Sequence, residues 1–178
     1  MKKAIFLDRD GIINKIILRN GKPCSPRIME EFIILEDAKE TVKILKDAGY
    51  KIVIVTNQPD VARGLMKIED LEKMLNIIKE ILCPDRILYC PHDDTDNCDC
   101  RKPKPGMIIK AANELNINLN KSFVVGDTWK DIEAGKAAGC ITILVDTQYN
   151  KEVKSDYRIN NLKEVIEIIK LSMNNDWS

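Results

Sequence analysis

Three short apolar runs, each followed directly by polar side chains, constrain the fold of this chain more than any other feature. Runs of this length are typical of buried strands, which send alternate side chains to opposite faces. The runs and the polar groups after them are Ala4–Leu7 before Asp8 and Asp10, Ile52–Val55 before Thr56 and Asn57, and Phe123–Val125 before Gly126 and Asp127. In open α/β sheets, ligands bind outside the carboxyl ends of the strands. The sequence therefore predicts one polar site formed by several strand ends.

Segments with strand character alternate with segments of helical spacing. This alternation indicates a mostly parallel sheet covered by helices on both faces, a three-layer α/β fold. The clearest helix lies at 68–82, where apolar residues recur every three or four positions along one face. The predicted strands are 4–7, 51–56, 87–89, 123–126 and 141–145, and the predicted helices are 37–48, 68–82, 105–115, 131–138 and 162–171.

Length and composition favour a single domain. At 178 residues with 44% apolar content, the chain can fill one hydrophobic core. We expect that domain to span 1–173, followed by a frayed tail at 174–178. Residues 12–36 lack periodicity and contain Gly21, Pro23 and Pro26, so they are expected to form a long loop or flap beside the site.

The charge balance restricts the partners. The chain carries 28 basic and 28 acidic residues, which argues against a nucleic acid or a membrane surface as the principal partner. The apolar start is too short for a signal peptide, and no window approaches the roughly 20 apolar residues of a membrane span. We therefore expect a cytoplasmic protein. Because the helices leave no apolar stripe over, we also expect a monomer.

Three thiols and the only imidazole of the chain fall within eleven positions. They are arranged as Cys-x-His-x5-Cys-x-Cys and match the Cys3His ligand set of tetrahedral Zn²⁺. A disulfide is the main alternative, and a reducing cytosol disfavours it. Because four protein groups would fill the coordination shell, this zinc would be structural and would order the loop 90–100. The four expected ligands are Cys90, His92, Cys98 and Cys100.

The polar groups at the strand ends suit phosphoryl transfer to an aspartate. By itself, Asp8-x-Asp10-Gly11 could be ordinary turn chemistry. With the other strand ends, however, one carboxylate could attack phosphorus while a second acts as acid and then base. Asp8 and Asp127 could hold Mg²⁺, which prefers oxygen ligands. Lys102 and the hydroxyl of Thr56 could stabilise the phosphoryl oxygens.

These residues resemble the motifs of the haloacid dehalogenase (HAD) superfamily. Asp8-Arg9-Asp10-Gly11 is similar to its motif I, Thr56-Asn57 to motif II, Lys102 to motif III and Gly126-Asp127 to motif IV. The resemblance spans nearly the whole chain. It implies a Rossmann-like HAD fold and a Mg²⁺-dependent phosphatase that works through a phospho-aspartate.

A closer resemblance is to subfamily IIIA, which includes heptose bisphosphate phosphatases and histidinol-phosphate phosphatases. It is carried by Val55-Thr56-Asn57-Gln58, by Cys100-Arg101-Lys102-Pro103-Lys104-Pro105-Gly106-Met107 and by the cysteines and histidine of the loop 90–100, which resembles the zinc loop of that subfamily. It implies a protein without a large cap domain. The implied substrate is a small phosphorylated metabolite, with D-glycero-D-manno-heptose 1,7-bisphosphate, which would lose its 7-phosphate, as the first candidate.

The same resemblance implies roles for individual residues. Asp8 would be the nucleophile and Asp10 the general acid and base, and Asp8, Asp127 and the backbone carbonyl of Asp10 would bind Mg²⁺. Thr56 and Lys102 would stabilise the phosphoryl group. The residues implied to contact the rest of the substrate are Asn14, Asn57 and Arg101.

Other assignments stay open at this stage. Histidinol phosphate is an alternative substrate, and a nucleic-acid 3′-phosphatase and a non-catalytic HAD-fold binding protein are alternative functions. Trp129 is expected to be buried against the sheet. Asp131 could support the metal site or begin a helix, and Arg63 could bind a substrate anion or hold a loop.

Overall fold

A single parallel sheet organises the chain. The computed structural model describes residues 1–174, with side chains described through Ser172. Within that part of the chain, the strands of the central sheet are β1 (Ala4–Leu7), β4 (Lys51–Asn57), β5 (Arg86–Cys90), β6 (Phe123–Gly126), β7 (Ile141–Val145) and β8 (Tyr157–Ile159). The six strands are parallel and lie in the order β5-β4-β1-β6-β7-β8.

Helices cover both faces of the sheet. The helices are α1 (Glu36–Asp47), α2 (Ile68–Leu82), α3 (Gly106–Leu115), α4 (Trp129–Ala138) and α5 (Val165–Asn174). In β1, Ile5 and Leu7 pack with α1, α2 and α5, whereas Ala4 and Phe6 pack with α3 and α4. Both faces of β1 are thus buried, as is usual for a parallel strand inside an α/β protein. The predicted three-layer fold is confirmed.

The strand register brings the predicted polar ends to one edge. Leu7 of β1 lies beside Ile54 of β4 on one side and beside Val125 of β6 on the other. Because parallel strands in register end at the same edge, the residues after them share that edge. Asp8, Asn57 and Asp127 therefore come together from segments far apart in sequence.

The predicted loop at 12–36 contains regular structure that the sequence analysis missed. It forms an antiparallel hairpin of β2 (Ile17–Arg19) and β3 (Lys22–Cys24), followed by a 3-10 turn at Met29–Glu31. The hairpin turns through Asn20 and Gly21, both of which have positive φ. An Asn-Gly pair between two short strands is a strong hairpin signal, and it predicts this turn.

The carboxyl-terminal part of the chain differs from the prediction in two places. The edge strand β8 was not predicted, and the last helix begins with a 3-10 turn at Leu162–Glu164 before α5. Of the expected tail 174–178, Asn174 is the last residue of α5, and 175–178 lie outside the described residues. Among the described residues, no helix is both long and apolar enough to span a bilayer.

Candidate functional site

A cavity of about 370 Å³ opens at the carboxyl edge of the sheet. Its wall combines side chains from the segment after β1, from the β2–β3 hairpin region, from the end of β4 and the loop after it, from the segment before α3, from α4 and from the loop after β7. The predicted site residues on this wall are Asp8, Asp10, Asn57, Arg101, Lys102 and Asp127. The cavity therefore lies where the ends of the parallel strands predicted a ligand site.

Asp8 is held at the floor of the cavity by Lys102. The Lys102 Nζ atom donates to Asp8 Oδ1 at 2.8 Å, and the Asp8 backbone N–H donates to the carbonyl of Val125 at 2.9 Å. Burial raises the pKa of Asp8 to about 7, with the carboxylates of Asp131 and Asp10 adding to the rise and Lys102 opposing it. The carboxylate is thus fixed in place but its charge is incompletely compensated.

Asp131 combines the two roles left open by the sequence. Its Oδ2 accepts from the backbone N–H and the hydroxyl of Thr128, which completes a capping box at the start of α4. Its Oδ1 accepts from Lys102 Nζ at 2.5 Å. Although burial lowers the pKa of Lys102, the charges of Asp131 and Asp8 more than offset this and raise it. Lys102 therefore stays protonated between two carboxylates.

Asp127 faces Asp8 across the floor. The Tyr149 hydroxyl donates to Asp127 Oδ2, and the Asn150 side-chain amide donates to the Asp127 carbonyl at 2.8 Å. Burial and the negative charge of Asp8 raise the pKa of Asp127 to about 8. Gly11, with φ +79, allows this arrangement, since a Cβ at that position would lie 2.4 Å from Asp127 Oδ2.

The donor set at the floor fits a magnesium ion. Carboxylate oxygens of Asp8, Asp127 and Asp131 lie within 4.8 Å of one another. Mg²⁺ takes oxygen ligands at about 2.0–2.1 Å and uses one or two carboxylates together with waters and phosphate oxygens. Because three buried carboxylates face one lysine, a divalent cation would neutralise the remaining negative charge.

Asp10 belongs to a separate hydrogen-bond network beside the hairpin of β2 and β3. Its carboxylate accepts hydrogen bonds from the side chains of Arg9, Asn14, Ser25 and Gln58 at 2.7–3.1 Å. Burial raises the pKa of Asp10, but Arg9 and the three neutral donors outweigh that effect and hold it below its usual value. The carboxylate is therefore ionised and oriented by four side chains.

Three further predicted residues occupy different positions around this network. Thr56 is buried, and its hydroxyl accepts from the Gln58 amide at 2.9 Å. Asn57 lines the cavity and exchanges two hydrogen bonds of 3.0 Å with the Lys102 backbone. Asn14 is fully buried and donates to Asp10, so its contact in this structure is with the acid rather than with the cavity.

Two arginines connect the cavity to the loop 90–100. Arg101 donates to Asp94 Oδ1 at 2.6 Å and to the His92 carbonyl at 3.2 Å. Arg63 binds both carboxylate oxygens of Asp93, at 2.6 and 2.7 Å. Both arginines also line the cavity. Two acids of the loop are thus paired with arginines of the cavity wall, and Arg63 does hold a loop.

The cysteines and histidine of that loop converge on one point. The three sulfurs are 2.9–3.5 Å apart, and His92 Nδ1 lies 3.6 Å from Cys90 Sγ and 3.4 Å from Cys100 Sγ. Tetrahedral zinc with Zn–S bonds of about 2.3 Å would place sulfurs about 3.8 Å apart. The four groups are therefore close enough together to share one zinc ion, and binding it would move the sulfurs of Cys90 and Cys100 apart.

The thiols of this cluster do not form a disulfide. All six cysteines are free, and the closest pair of sulfurs, in Cys90 and Cys100, is 2.9 Å apart, compared with about 2.05 Å in a disulfide. Burial opposes ionisation of Cys98, but hydrogen bonds from the thiols of Cys100 and Cys90 lower its pKa to about 7. Burial raises the pKa values of Cys90 and Cys100, so Cys98 is the thiol of this cluster that most readily gives a thiolate, the form that binds metals.

The prediction that Trp129 is buried is wrong. Its side chain is 51% exposed, and it lines the cavity from the first position of α4. Thr128 caps the helix at this point, so Trp129 starts the helix at the rim of the cavity, away from the inward-facing Ile132. Helical periodicity, which sets the buried face of α4, directs this aromatic ring into the site.

Comparisons with known proteins assign the chain to a family. The model of the haloacid dehalogenase-like hydrolases matches residues 24–139. The chain belongs to this family. As a member of it, the protein is a hydrolase.

Named relatives and a solved structure match most of the chain. A Chlorobaculum tepidum D-glycero-D-manno-heptose-1,7-bisphosphate 7-phosphatase is 39% identical over 84% of this chain and 81% of its own. A Helicobacter pylori D-glycero-beta-D-manno-heptose-1,7-bisphosphate 7-phosphatase is 38% identical over 94% and 97%. The structure of the D,D-heptose 1,7-bisphosphate phosphatase from B. bronchiseptica, complexed with magnesium and phosphate, has a TM-score of 0.82 at 29% identity and covers 96% of this chain and 99% of that one.

Several residues of the hydrolase site were not singled out from the sequence. Ser25 and Gln58 orient Asp10, while Tyr149 and Asn150 orient Asp127. Gln58 directly follows Thr56-Asn57, so its position at a strand end was an available signal. Tyr149 and Ser25 lie in loops without periodicity, and only their contacts in the folded protein connect them to the site.

Proposed function

We propose that this hydrolase is a Mg²⁺-dependent phosphatase that removes the 7-phosphate of D-glycero-D-manno-heptose 1,7-bisphosphate. The observation that carries the proposal is the meeting of Asp8, Lys102 and Asp127 on the floor of one cavity, with Asp10 on its wall. The names of the relatives support the substrate. The size of the cavity, about 370 Å³, suits a small metabolite.

In the first step, an Asp8 carboxylate oxygen attacks the phosphorus atom and the bond to the sugar oxygen breaks. Lys102 holds Asp8 in position and offsets negative charge on the phosphoryl oxygens. The leaving oxygen takes a proton from Asp10. Asp10 is ionised in this structure, and the negative charge of the incoming phosphate raises its proton affinity at the moment when a proton is needed.

Asp8, Asp127 and the backbone carbonyl of Asp10 would hold the magnesium ion, with Asp131 close by. Bound there, the ion would supply positive charge to the phosphoryl oxygens and bring the phosphate close to Asp8. Tyr149 and Asn150 fix the orientation of Asp127 for this purpose.

In the second step, a water molecule attacks the phosphorus of phospho-Asp8. Asp10 accepts the proton of that water, inorganic phosphate leaves, and the Asp8 carboxylate is restored. Arg9, Ser25 and Gln58 keep Asp10 oriented for both transfers. Thr56 would donate its hydroxyl proton to a phosphoryl oxygen. The oxygen of that hydroxyl already accepts a hydrogen bond from the Gln58 amide, which orients it.

The rest of the substrate would extend along the wall formed by Asn57 and Arg101. Arg101 is held by Asp94 and by the His92 carbonyl, so the loop 90–100 determines where its guanidinium lies. Asn14 would act on the substrate indirectly, through Asp10. A structural zinc bound by the four ligands of that loop would keep the arginine in place.

The alternatives have less support. A non-catalytic relative would be expected to lack at least one of the four residues that carry the chemistry. All four are present and line one cavity: Asp8, Asp10, Lys102 and Asp127. Arg63 and Arg101 are paired with carboxylates, whereas a nucleic-acid phosphatase needs unpaired cations along a groove. Histidinol phosphate remains the second candidate substrate. The six free thiols fit a cytoplasmic protein, and we propose that it acts there as a monomer.

Kinetics on a substrate panel test the proposal. Phosphate release would be measured with Mg²⁺ on both anomers of heptose 1,7-bisphosphate, on histidinol phosphate and on a 3′-phosphorylated oligonucleotide. We expect kcat/KM for one heptose anomer to exceed the values for the last two by at least about 100-fold, a difference of about 2.7 kcal/mol. Equal or higher kcat/KM for histidinol phosphate would contradict the proposed substrate.

A further inference from the structure

Trp129 is an exposed aromatic residue inside the cavity. Large aromatic side chains bury much apolar area in cores and interfaces, so one that lies half exposed on a cavity wall is available to a ligand. Trp129 is 51% exposed and follows Asp127, the candidate magnesium ligand, by two positions. None of the roles assigned above to the site uses this ring.

We propose that Trp129 is a substrate-binding residue whose ring stacks against the sugar ring of the phosphorylated substrate. The inference rests on the proposed function and deepens it, since it concerns how the part of the substrate that is not transferred is recognised. One face of a sugar ring is rich in C–H groups and is therefore apolar. An aromatic plane binds such a face while the hydroxyl groups remain free for polar contacts.

The surroundings of the ring favour this role. Ile16, Tyr149 and Val153 line the same cavity, so it has an apolar wall as well as a charged floor. Tyr149 is itself 43% exposed. A phosphate ester has the same division, with a charged group at one end and a carbon ring beyond it. The phosphoryl group would lie on the floor while the ring contacts the aromatic wall.

The local contacts of Trp129 leave it able to bind a ligand. Its indole N–H donates no hydrogen bond to any residue that the structure describes, so it can donate to a sugar hydroxyl. Lys130 Nζ lies 5.7 Å from the centre of the ring, within the distance of a cation–π contact. The same ammonium is 3.7 Å from Asp94 of the loop 90–100, which limits its movement. The ammonium thus lies over one face of the ring and orients it, and with half of its surface exposed the side chain still has room for a ligand.

Steady-state kinetics on two substrates test the inference. Trp129→Ala and the conservative Trp129→Phe would be compared with the unaltered protein on heptose 1,7-bisphosphate and on acetyl phosphate, which has no ring. For the sugar, we expect Trp129→Ala to raise KM about tenfold with kcat within about twofold, and Trp129→Phe to restore most of the loss. For acetyl phosphate, we expect both constants to be unchanged in both variants.

A spectroscopic measurement adds a readout that does not depend on turnover. The chain has two tryptophans, so Trp177→Phe leaves Trp129 as the only one. With Mg²⁺ present, titration of this variant with the product D-glycero-D-manno-heptose 1-phosphate should change the indole emission. Inorganic phosphate, which has no ring, should leave the emission unchanged.

The outcomes separate the two proposals. An unchanged KM for the sugar in Trp129→Ala, or an equal change with both substrates, would overturn the role of Trp129 while leaving the proposed function intact. Emission that responds equally to the sugar phosphate and to inorganic phosphate would overturn it as well. If the unaltered protein hydrolyses acetyl phosphate but no heptose bisphosphate, the proposed substrate fails, and the stacking inference fails with it.

Discussion

The two candidate metal centres of this protein differ in how completely the chain surrounds them. At the cavity floor, the carboxylates of Asp8 and Asp127 come from strands whose sequence positions are more than 100 residues apart, and the site faces a cavity. In the loop 90–100, four ligands lie within eleven positions and face one another. A site with open coordination positions can do chemistry, whereas a site filled by protein ligands can only stabilise structure.

The cavity floor and the loop 90–100 also differ in how far their carboxylates are paired with basic side chains. At the floor, burial raises the pKa of Asp8 to about 7 and that of Asp127 to about 8, and the negative charges of neighbouring carboxylates add to both increases. The loop pairs its acids Asp93 and Asp94 with Arg63 and Arg101. The excess negative charge at the floor favours a cation, and a cation bound there would attract a phosphate, whereas the loop pairs these two acids with arginines.

The largest expected effect comes from removing the proposed nucleophile. Asp8→Asn should lower phosphate release by at least about 10³-fold, because a neutral amide does not attack phosphorus. The melting temperature and the zinc content should not fall, since the loop 90–100 lies outside this change. Asp47→Asn, at an exposed position on α1, is the matched control and should keep full activity. Retained turnover in a clean preparation of Asp8→Asn would refute the assignment.

Selective removal of the metals comes next. After dialysis against EDTA, we expect phosphate release to fall by about 100-fold and to recover on addition of Mg²⁺, while about one zinc per chain is retained. The reason is that the floor would bind a hard ion through few protein ligands, whereas the loop would enclose a zinc ion with four. Metal analysis of the dialysed protein, combined with the assay, checks both parts. Activity that is unaffected by EDTA while zinc is retained would contradict this division between the centres.

Removing one ligand of the loop cluster should affect the stability of the protein more directly than its catalytic activity. Cys100→Ser removes one of four ligands and should abolish stoichiometric zinc and lower the melting temperature by about 10 °C, because metal binding contributes to folding. Cys83→Ser is the control, since this thiol is exposed and outside the cluster. Calorimetry and metal analysis measure the difference. An unchanged melting temperature and metal content in Cys100→Ser would rule out a structural zinc.

The smallest expected effect concerns the orientation of Asp127. Tyr149→Phe removes only the hydroxyl that donates to Asp127 Oδ2. We expect the Mg²⁺ concentration that gives half-maximal activity to change by about threefold, the equivalent of one modest hydrogen bond. Tyr157→Phe, on the edge strand β8 and also partly exposed, should leave it unchanged. Identical Mg²⁺ dependence in both variants would mean that the hydroxyl does not position the carboxylate.

Local features of the sequence allowed a large part of the fold and site to be predicted. The apolar runs located β1, β4 and β6, and the apolar spacing located α2, because each depends on residues close together in the chain. The Cys-His spacing predicted the loop cluster for the same reason. The hairpin of β2 and β3 also has a local signal, the Asn20-Gly21 pair at its turn.

Contacts between distant segments could not be predicted in this way. Asp131 binds Lys102 from 29 positions away, and Tyr149 reaches Asp127 from 22 positions away, through a loop without periodicity. The exposure of Trp129 depends on how α4 packs against the sheet. These outcomes depend on packing and loop path, which no short window of sequence contains.

The sequence by itself determined which chemical groups the protein has and at which strand ends they lie, since strands and their polar ends follow from local patterns of residues. Only the tertiary structure decided which of those groups meet. It placed Lys102 between Asp8 and Asp131, bound Asp10 to Arg9 and Ser25, and turned Trp129 into the cavity. The physical reason is that the direction of a side chain and the charges around it depend on the packing of segments that are neighbours only in the folded chain.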